Sequence, residues 1–281
     1  MKKTCLVCGG SLGKSKIKGL VQCDTCGFLT TNLELTSDEI KRLYSANYYH
    51  GEEYADYLSD KEIIQHNFRK RIKRIGRVLS EMKQKRLFEI GCAYGFFLET
   101  AKKFFCDAEG IDISEDAVQY AKENLRQNAH AGDFATFENG KKYDVICMWD
   151  TIEHLERPQV YVKKAHDMLE KDGYICITTG DVGSLNARMR GRKWRQIHPP
   201  THLHYFSRKT LTMLLDKSGF RVVDVSYPAN TISVNTILYT LLCIKSHHEK
   251  LYQFFKNLGI TKINLNINFR DFMFIIAQVK Q

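Results

Sequence analysis

Leu87-Phe88-Glu89-Ile90-Gly91-Cys92-Ala93-Tyr94-Gly95-Phe96 is an apolar strand that runs straight into a glycine-bearing turn, with a helix expected beyond it. The next short apolar run, Ala108-Glu109-Gly110-Ile111, ends at Asp112. Glycines let a tight turn bring backbone N–H groups close to a ligand, and an acid at the tip of the following strand can accept hydrogen bonds from two ribose hydroxyls. The pattern implies a nucleoside cofactor. A dinucleotide is disfavoured, because its cradle needs a third small residue where helix and strand pack closely, and Phe96 stands there.

Working outward, strands and helices alternate. Ser114 to Asn128 is expected as a helix with Ser114 as N-cap and Ala117, Val118, Ala121 and Leu125 on one face. Tyr143 to Asp150 is expected as a buried parallel strand, Gly173 to Thr179 as the next, Ser207 to Lys217 as a helix capped by Ser207, Phe220 to Tyr227 as a sixth strand and Phe272 to Val279 as the last. Such alternation predicts an α/β fold, a doubly wound, mostly parallel sheet whose ligands sit at the carboxyl ends of the strands.

The stretch Glu89 to Gly95 resembles the acidic-x-Gly-x-Gly-x-Gly loop of class I S-adenosylmethionine-dependent methyltransferases, with Ala93 in place of the middle glycine. The resemblance implies a seven-stranded Rossmann-like sheet with its last strand antiparallel. It implies a cofactor pocket made by Glu89, Gly91, Cys92, Ala93, Gly95, Asp112, Ile113, Asp133, Phe134 and Trp149, in which Asp112 holds the ribose and Asp133 and Phe134 meet the adenine. Asp150-Thr151-Ile152-Glu153-His154 resembles the Glu-x-x-Glu-His segment of the ubiquinone-biosynthesis type of O-methyltransferase, which is associated with a divalent cation; that points to Asp150, Glu153 and His154 as candidate ligands. On a helical turn the three would share one face. The alternative is that Glu153 and His154 only order the turn beneath the cofactor. Pro200 to Ser207 resembles the Pro-x-His-Leu-x-x-Phe-Ser stretch that faces the acceptor in a broad methyltransferase subfamily, so His154, His202 and Tyr205 are the candidate catalytic or acceptor-contacting residues. Three histidines split by Pro199-Pro200 lack the spacing of a zinc site on one helix.

Near the N-terminus, Cys5-x-x-Cys8 and Cys23-x-x-Cys26, each pair followed by a glycine, have the spacing of a structural zinc ribbon with four thiolate ligands. Four sulfurs close the coordination sphere, which argues against a catalytic zinc. The remaining cysteines lie in apolar contexts and read as packing residues, with Cys92 set apart by its place in the cofactor loop.

The 281 residues divide into a ribbon-like module (1–35), a helical linker or lid (36–84), the core (85–227 and 269–281) and a helical insertion (228–268). Tyr44, Tyr48, Tyr49, Tyr54 and Tyr57 suit a lid over cofactor and substrate, or the packing of a connecting helix. The insertion suits a cap on the site, a homodimer contact through 228–260, or a helix lying on a membrane near a lipid-linked acceptor, since Lys245, His247, His248 and Lys250 follow its apolar run. No stretch reaches the ~20 apolar residues of a membrane span, and Met1-Lys2-Lys3-Thr4-Cys5 is too polar for a signal peptide, so a cytoplasmic protein is expected.

A net charge of +10 favours an acidic partner. Arg69 to Arg77 read as the solvated face of a helix from Asp60 to Met82. Arg188, Arg190, Arg192, Lys193 and Arg195 read as a phosphate-recognising loop, so a phosphate-bearing or sugar-like acceptor is expected, methylated on oxygen. An RNA methyltransferase with a zinc-binding recognition module is the alternative. The Asn/Asp-Pro-Pro-aromatic segment usual in base-amino methylation is replaced here by Trp149-Asp150-Thr151-Ile152, a test that carbon or ring-nitrogen methylation of RNA escapes. A non-catalytic scaffold is the third reading, against which the intact Glu89, Gly91, Gly95, Asp112 and Asp133 argue.

Overall fold

The structure is a computed structural model that describes residues 4–33, 39, 58 and 60–281. The tyrosine-rich lid expected at 44–57 lies outside the described residues. In chain order, three short strands, β1 (Leu12–Lys14), β2 (Leu20–Cys23) and β3 (Leu29–Thr31), form the N-terminal unit, and α1 (Lys61–Ile75) leads into the core. The core follows as β4 (Arg86–Ile90), α2 (Phe96–Ala101), β5 (Asp107–Asp112), α3 (Glu115–Glu123), β6 (Asn128–Ala131), β7 (Tyr143–Trp149), α4 (Pro158–Met168) and β8 (Leu169–Gly180). After it come α5 (Leu185–Arg190), β9 (His204–Tyr205), α6 (Arg208–Lys217), β10 (Phe220–Ser226), the insertion, and β13 (Phe272–Val279).

The main sheet has seven strands in the order β10-β13-β8-β7-β4-β5-β6. Pairs from β8 through β6 are parallel, and β13 is antiparallel to both of its neighbours. Because side chains alternate across a strand, the near-continuous apolar runs supply two cores at once. Phe88, Ile146 and Ile175 face α4, α6 and the N-terminal unit, while Leu87, Val145 and Cys176 face α1, α2 and α3.

Element boundaries depart from the sequence reading in several places. The helix expected to reach Asn128 stops at Glu123, and Asn128–Ala131 pairs in parallel with β5 as an edge strand. Asn-Ala-His-Ala has no β-branched residue to announce a strand; pairing with Glu109–Asp112 makes it one. The helix expected as far as Met82 ends at Ile75, where Gly76 caps it. The insertion, expected as a helix, is a hairpin stem of β11 (Asn230–Ser233) and β12 (Asn264–Ile267) that carries α7 (Val234–Leu238), a π-helix (Tyr239–Lys245) and α8 (Glu249–Asn257). Ser233 breaks the run by capping α7, its Oγ accepting from the Thr236 N–H at 2.9 Å.

The N-terminal unit is not a detached module. Its sheet is completed by β9 in the order β1-β2-β3-β9, with Leu29 opposite Tyr205 and Thr30 opposite His204. Phe28 is fully buried, 5.2 Å from the Phe206 ring and in one apolar cluster with Leu211 and Leu215 of α6. Phe28→Ala is expected to destabilise the protein by about 3 to 4 kcal/mol, the range for emptying a buried aromatic site. Urea unfolding measures this, and a loss below about 1 kcal/mol would mean the unit is only loosely docked.

Candidate functional site

Strand order lays out the site. Of the neighbours β6, β5, β4 and β7, β5 ends at Asp112, and Asp133, Gly91 and Asp150 lie just beyond the ends of β6, β4 and β7, so these residues follow one another along the carboxyl edge of the sheet. They line one cavity of about 840 Å³, of a size for a nucleoside cofactor and a small acceptor together.

The glycine loop forms its floor. Gly91 has φ +80°, and a methyl group added there would stand 2.6 Å from Thr151 Oγ1, so only glycine fits. Ala93, at the position where glycine is usual, is held at φ +44°, in the left-handed region that costs a non-glycine residue roughly 1 kcal/mol. The cause is visible: its N–H donates to Asp112 Oδ2 at 2.8 Å, and the Ser114 N–H donates to Oδ1 at 2.9 Å. Two amides thus orient a buried carboxylate that also borders the cavity. Burial pushes its pKa up, against the pull of those amides.

The sequence-read cofactor residues fall into two groups. Gly91, Ala93, Asp112, Ile113, Asp133, Phe134 and Trp149 line the cavity. Glu89, Cys92 and Gly95 lie beneath it. Glu89 is 2% exposed, with Oε2 lacking a hydrogen-bond partner among the described residues, and burial together with the nearby Asp112 pushes its pKa well up. Cys92 packs against Gly110, and burial raises its thiol, so it is a packing residue and not a thiolate. Gly95 is the N-cap of α2, where a methyl group would meet Ala121 Cβ at 2.9 Å. At the far end, Asp133 Oδ1 accepts from the Ala135 N–H (2.8 Å) and the Tyr161 hydroxyl, and Phe134 stacks on Tyr161.

The opposite wall comes from β7 and the turn after it. Asp150 has φ +54°, and residues 152–154 form a turn and not a helix. The carboxylate of Asp150 faces Arg71 (3.5 Å), whereas ligand-type atoms of Glu153, His154 and His202 lie within 4.8 Å of one another. The trio Asp150, Glu153 and His154 is therefore split, with His202 standing where Asp150 was expected. His154 lines the cavity and its Nδ1 donates to Thr201 O at 2.9 Å. His202 sits behind it, ring centroids 4.5 Å apart, with Nδ1 donating to Gln196 O at 3.0 Å. Tyr205 is 3% exposed and packs with Leu20 and Leu29; its hydroxyl donates to His202 O at 2.9 Å, and it does not border the cavity.

A family of known proteins, described as "Methyltransferase domain", matches residues 61–225. The chain belongs to that family of S-adenosylmethionine-dependent methyltransferases. Among curated relatives, ubiquinone biosynthesis O-methyltransferases from Pelagibacter ubique and Ruegeria pomeroyi are 25% and 29% identical over 56% and 50% of this chain. The matched stretches span 74% and 65% of those proteins. The solved magnesium protoporphyrin IX methyltransferase from Synechocystis PCC 6803, with bound SAH, aligns over 87% of this chain and all of its own, at 11% identity and a TM-score of 0.56. A possible histamine N-methyltransferase from Thermotoga maritima aligns over 80% of this chain and 94% of its own, at 18% identity and 0.53. Both likenesses establish the class I fold.

In this methyltransferase His154 and Glu153 are electrically quiet at neutral pH. Burial lowers the His154 pKa to about 4, and burial beside Asp150 raises that of Glu153 to about 8, so imidazole and carboxylic acid are both uncharged at pH 7. Glu153 also anchors the turn, its carbonyl accepting from the Leu203 and His204 N–H groups at 2.9 and 3.1 Å.

Sequence reasoning missed Arg71, grouped with a solvated helix face. It is 8% exposed, lines the cavity, and lies over the rings of Phe68, Trp149 and Phe272 at 5.3, 5.1 and 5.8 Å. Its Nε has no hydrogen-bond partner among the described residues. The signal was available, since Arg71 stands three residues after Phe68 and four before Ile75, inside the apolar stripe. Lys70 and Arg74 are also engaged, by Thr231 Oγ1 (2.9 Å) and by both oxygens of Asp224 (2.6 and 2.7 Å). Asn230, Thr231 and Ile232 of the insertion close the cavity beside α1. Arg188 and Arg192 line a separate groove between the N-terminal unit and the core, and Arg195 pairs with Asp271 at 2.9 Å. The basic loop thus does not border the cavity at the carboxyl edge of the sheet.

Proposed function

We propose that this methyltransferase modifies a hydroxyl oxygen of a small-molecule or sugar-like acceptor, with His154 as the general base. The observation that carries the reading is an imidazole on the cavity wall that burial keeps neutral and that Thr201 O holds through Nδ1. S-adenosylmethionine supplies an electrophilic methyl group when bound. The residues fit it: a glycine floor that tolerates no methyl at Gly91, an amide-oriented carboxylate at Asp112, and Phe134 beside Asp133. Asp112 would hold the ribose and Asp133 with Phe134 the adenine. Arg71, on the opposite side of Gly91 along the sheet edge, would hold the carboxylate of the methionine portion. His154 takes the proton of the acceptor hydroxyl. The O-methyltransferase names of the curated relatives support oxygen as the site of transfer.

Labelled methyl groups from the cofactor, offered to a cell extract fractionated into small molecules, lipids and RNA, test the reading. Label in small molecules or lipids, stable as an ether, is expected. Label confined to RNA would overturn it in favour of RNA methylation, a reading that the groove lined by Lys16, Arg188, Arg192, Arg208 and Lys209 favours.

The four N-terminal cysteines support a structural zinc. Their sulfurs lie within 4.8 Å of one another, with Cys5–Cys26 at 3.6 Å and Cys8–Cys23 at 3.3 Å, close to the ~3.8 Å edges of a zinc–thiolate tetrahedron. Thiolates that must stay reduced suit the cytoplasm. One zinc per chain is expected by elemental analysis, lost together with several degrees of Tm in Cys5→Ser/Cys23→Ser. Full-strength folding of that variant without metal would refute the site.

A further inference from the structure

The insertion leaves half of an amphipathic helix uncovered. In α8, Tyr252 is 7% exposed, donates its hydroxyl to Asn235 Oδ1 at 2.8 Å and meets the Tyr239 ring edge-on. Leu251, Phe254 and Leu258, spaced i, i+3 and i+7, fall on the adjoining arc and are 44%, 56% and 58% exposed. Ile263 and Phe269 add 50% and 52% exposed side chains, and most of the exposed large apolar residues of the described chain lie between 241 and 269. An apolar face of this kind is costly in water unless something covers it.

Charge chooses the occupant. Over 241–270 the sequence carries Lys245, Lys250, Lys256, Lys262 and Arg270 against Glu249 alone. A two-fold contact with a second copy would set this positive charge against itself. An anionic lipid surface offers both an apolar layer and compensating charge. No helix among the described residues is long and apolar enough to cross a membrane, so the element would lie in the interface and not span it.

We propose that the insertion docks reversibly on an anionic bilayer surface. The inference rests on the reading of a small, non-nucleic-acid acceptor, because the same hairpin builds the cavity wall. Its strand β11 supplies Asn230, Thr231 and Ile232 to the cavity and is clamped to α1 by paired hydrogen bonds between Asn67 and Thr231 (2.8 and 2.9 Å), while its far end carries the apolar face. A protein so docked brings its cavity to an acceptor anchored in the membrane.

Sedimentation of the full chain with vesicles of phosphatidylcholine alone, and of phosphatidylcholine with an equal part of phosphatidylglycerol, tests this. Binding is expected to the anionic vesicles only, weakening as salt rises. Phe254→Ser/Leu258→Ser is expected to lower the partition coefficient at least about tenfold. Calorimetric affinity for S-adenosylmethionine should stay unchanged in that variant, which shows that it is folded and tests the cofactor reading separately. Absence of binding to anionic vesicles, or equal binding by the double variant, overturns the proposal. So does a wild-type dimer in velocity sedimentation that the double variant abolishes, since the face would then belong to a second copy.

Discussion

His154→Ala is expected to slow methyl transfer by about 10² to 10⁴-fold, the usual contribution of a positioned general base, while S-adenosylmethionine affinity measured by calorimetry stays within about twofold of wild type. The separation is expected because His154 stands on the β7 side of the cavity, whereas Asp112 and its amides lie on β5 and the glycine loop. The pH profile adds a signature that a structural role would not produce. Burial disfavours the imidazolium and lowers the His154 pKa from 6.5 to about 4. The base therefore stays deprotonated until pH falls to that region, and kcat/KM should be level from about pH 5.5 to 7.5, with any acid limb near 4. A limb at the ordinary histidine value, or a variant with undiminished rate, would remove His154 from the mechanism.

Asp112→Ala should cost at least about 100-fold in S-adenosylmethionine affinity. Hydrogen bonds to a charged acceptor are worth about 1.5 to 3 kcal/mol each, and the ribose would lose two of them. The loop suffers as well. Without the carboxylate, the N–H of Ala93 loses the acceptor that holds this residue at φ +44°, and Ser114 N loses its partner at the start of α3. Isothermal calorimetry reads the loss directly, and a change under about fivefold would place the nucleoside elsewhere.

The half of the cavity built by the glycine loop and Asp112 was legible because its geometry is local. Strand, turn, helix and terminal acid follow one another within some twenty-five residues, and each part has a sequence mark: glycines where φ is positive, an acid at a strand tip, Ser114 as a cap. The half around Glu153 and His154 is assembled from distant segments. Glu153 binds the backbone of Leu203 and His204, Thr30 Oγ1 lies 2.9 Å from His204 Nδ1, and Asp271 gathers Asn186, Trp194 and Arg195. No periodicity records such pairings, which is why Tyr205 was read as facing acceptor yet packs against the N-terminal unit.

By itself, the order of residues determined the doubly wound α/β class, the glycine loop with Asp112, and the four-cysteine cluster, since each depends on spacing along a few turns of chain. Tertiary structure alone decided that Arg71 turns into the cavity, that Asn128–Ala131 is a strand, that the N-terminal sheet is completed by His204–Tyr205, and that His202 stands beside Glu153 and His154. These are outcomes of burial and pairing between segments far apart in sequence, and their free energy exists only once the sheet has brought those segments together.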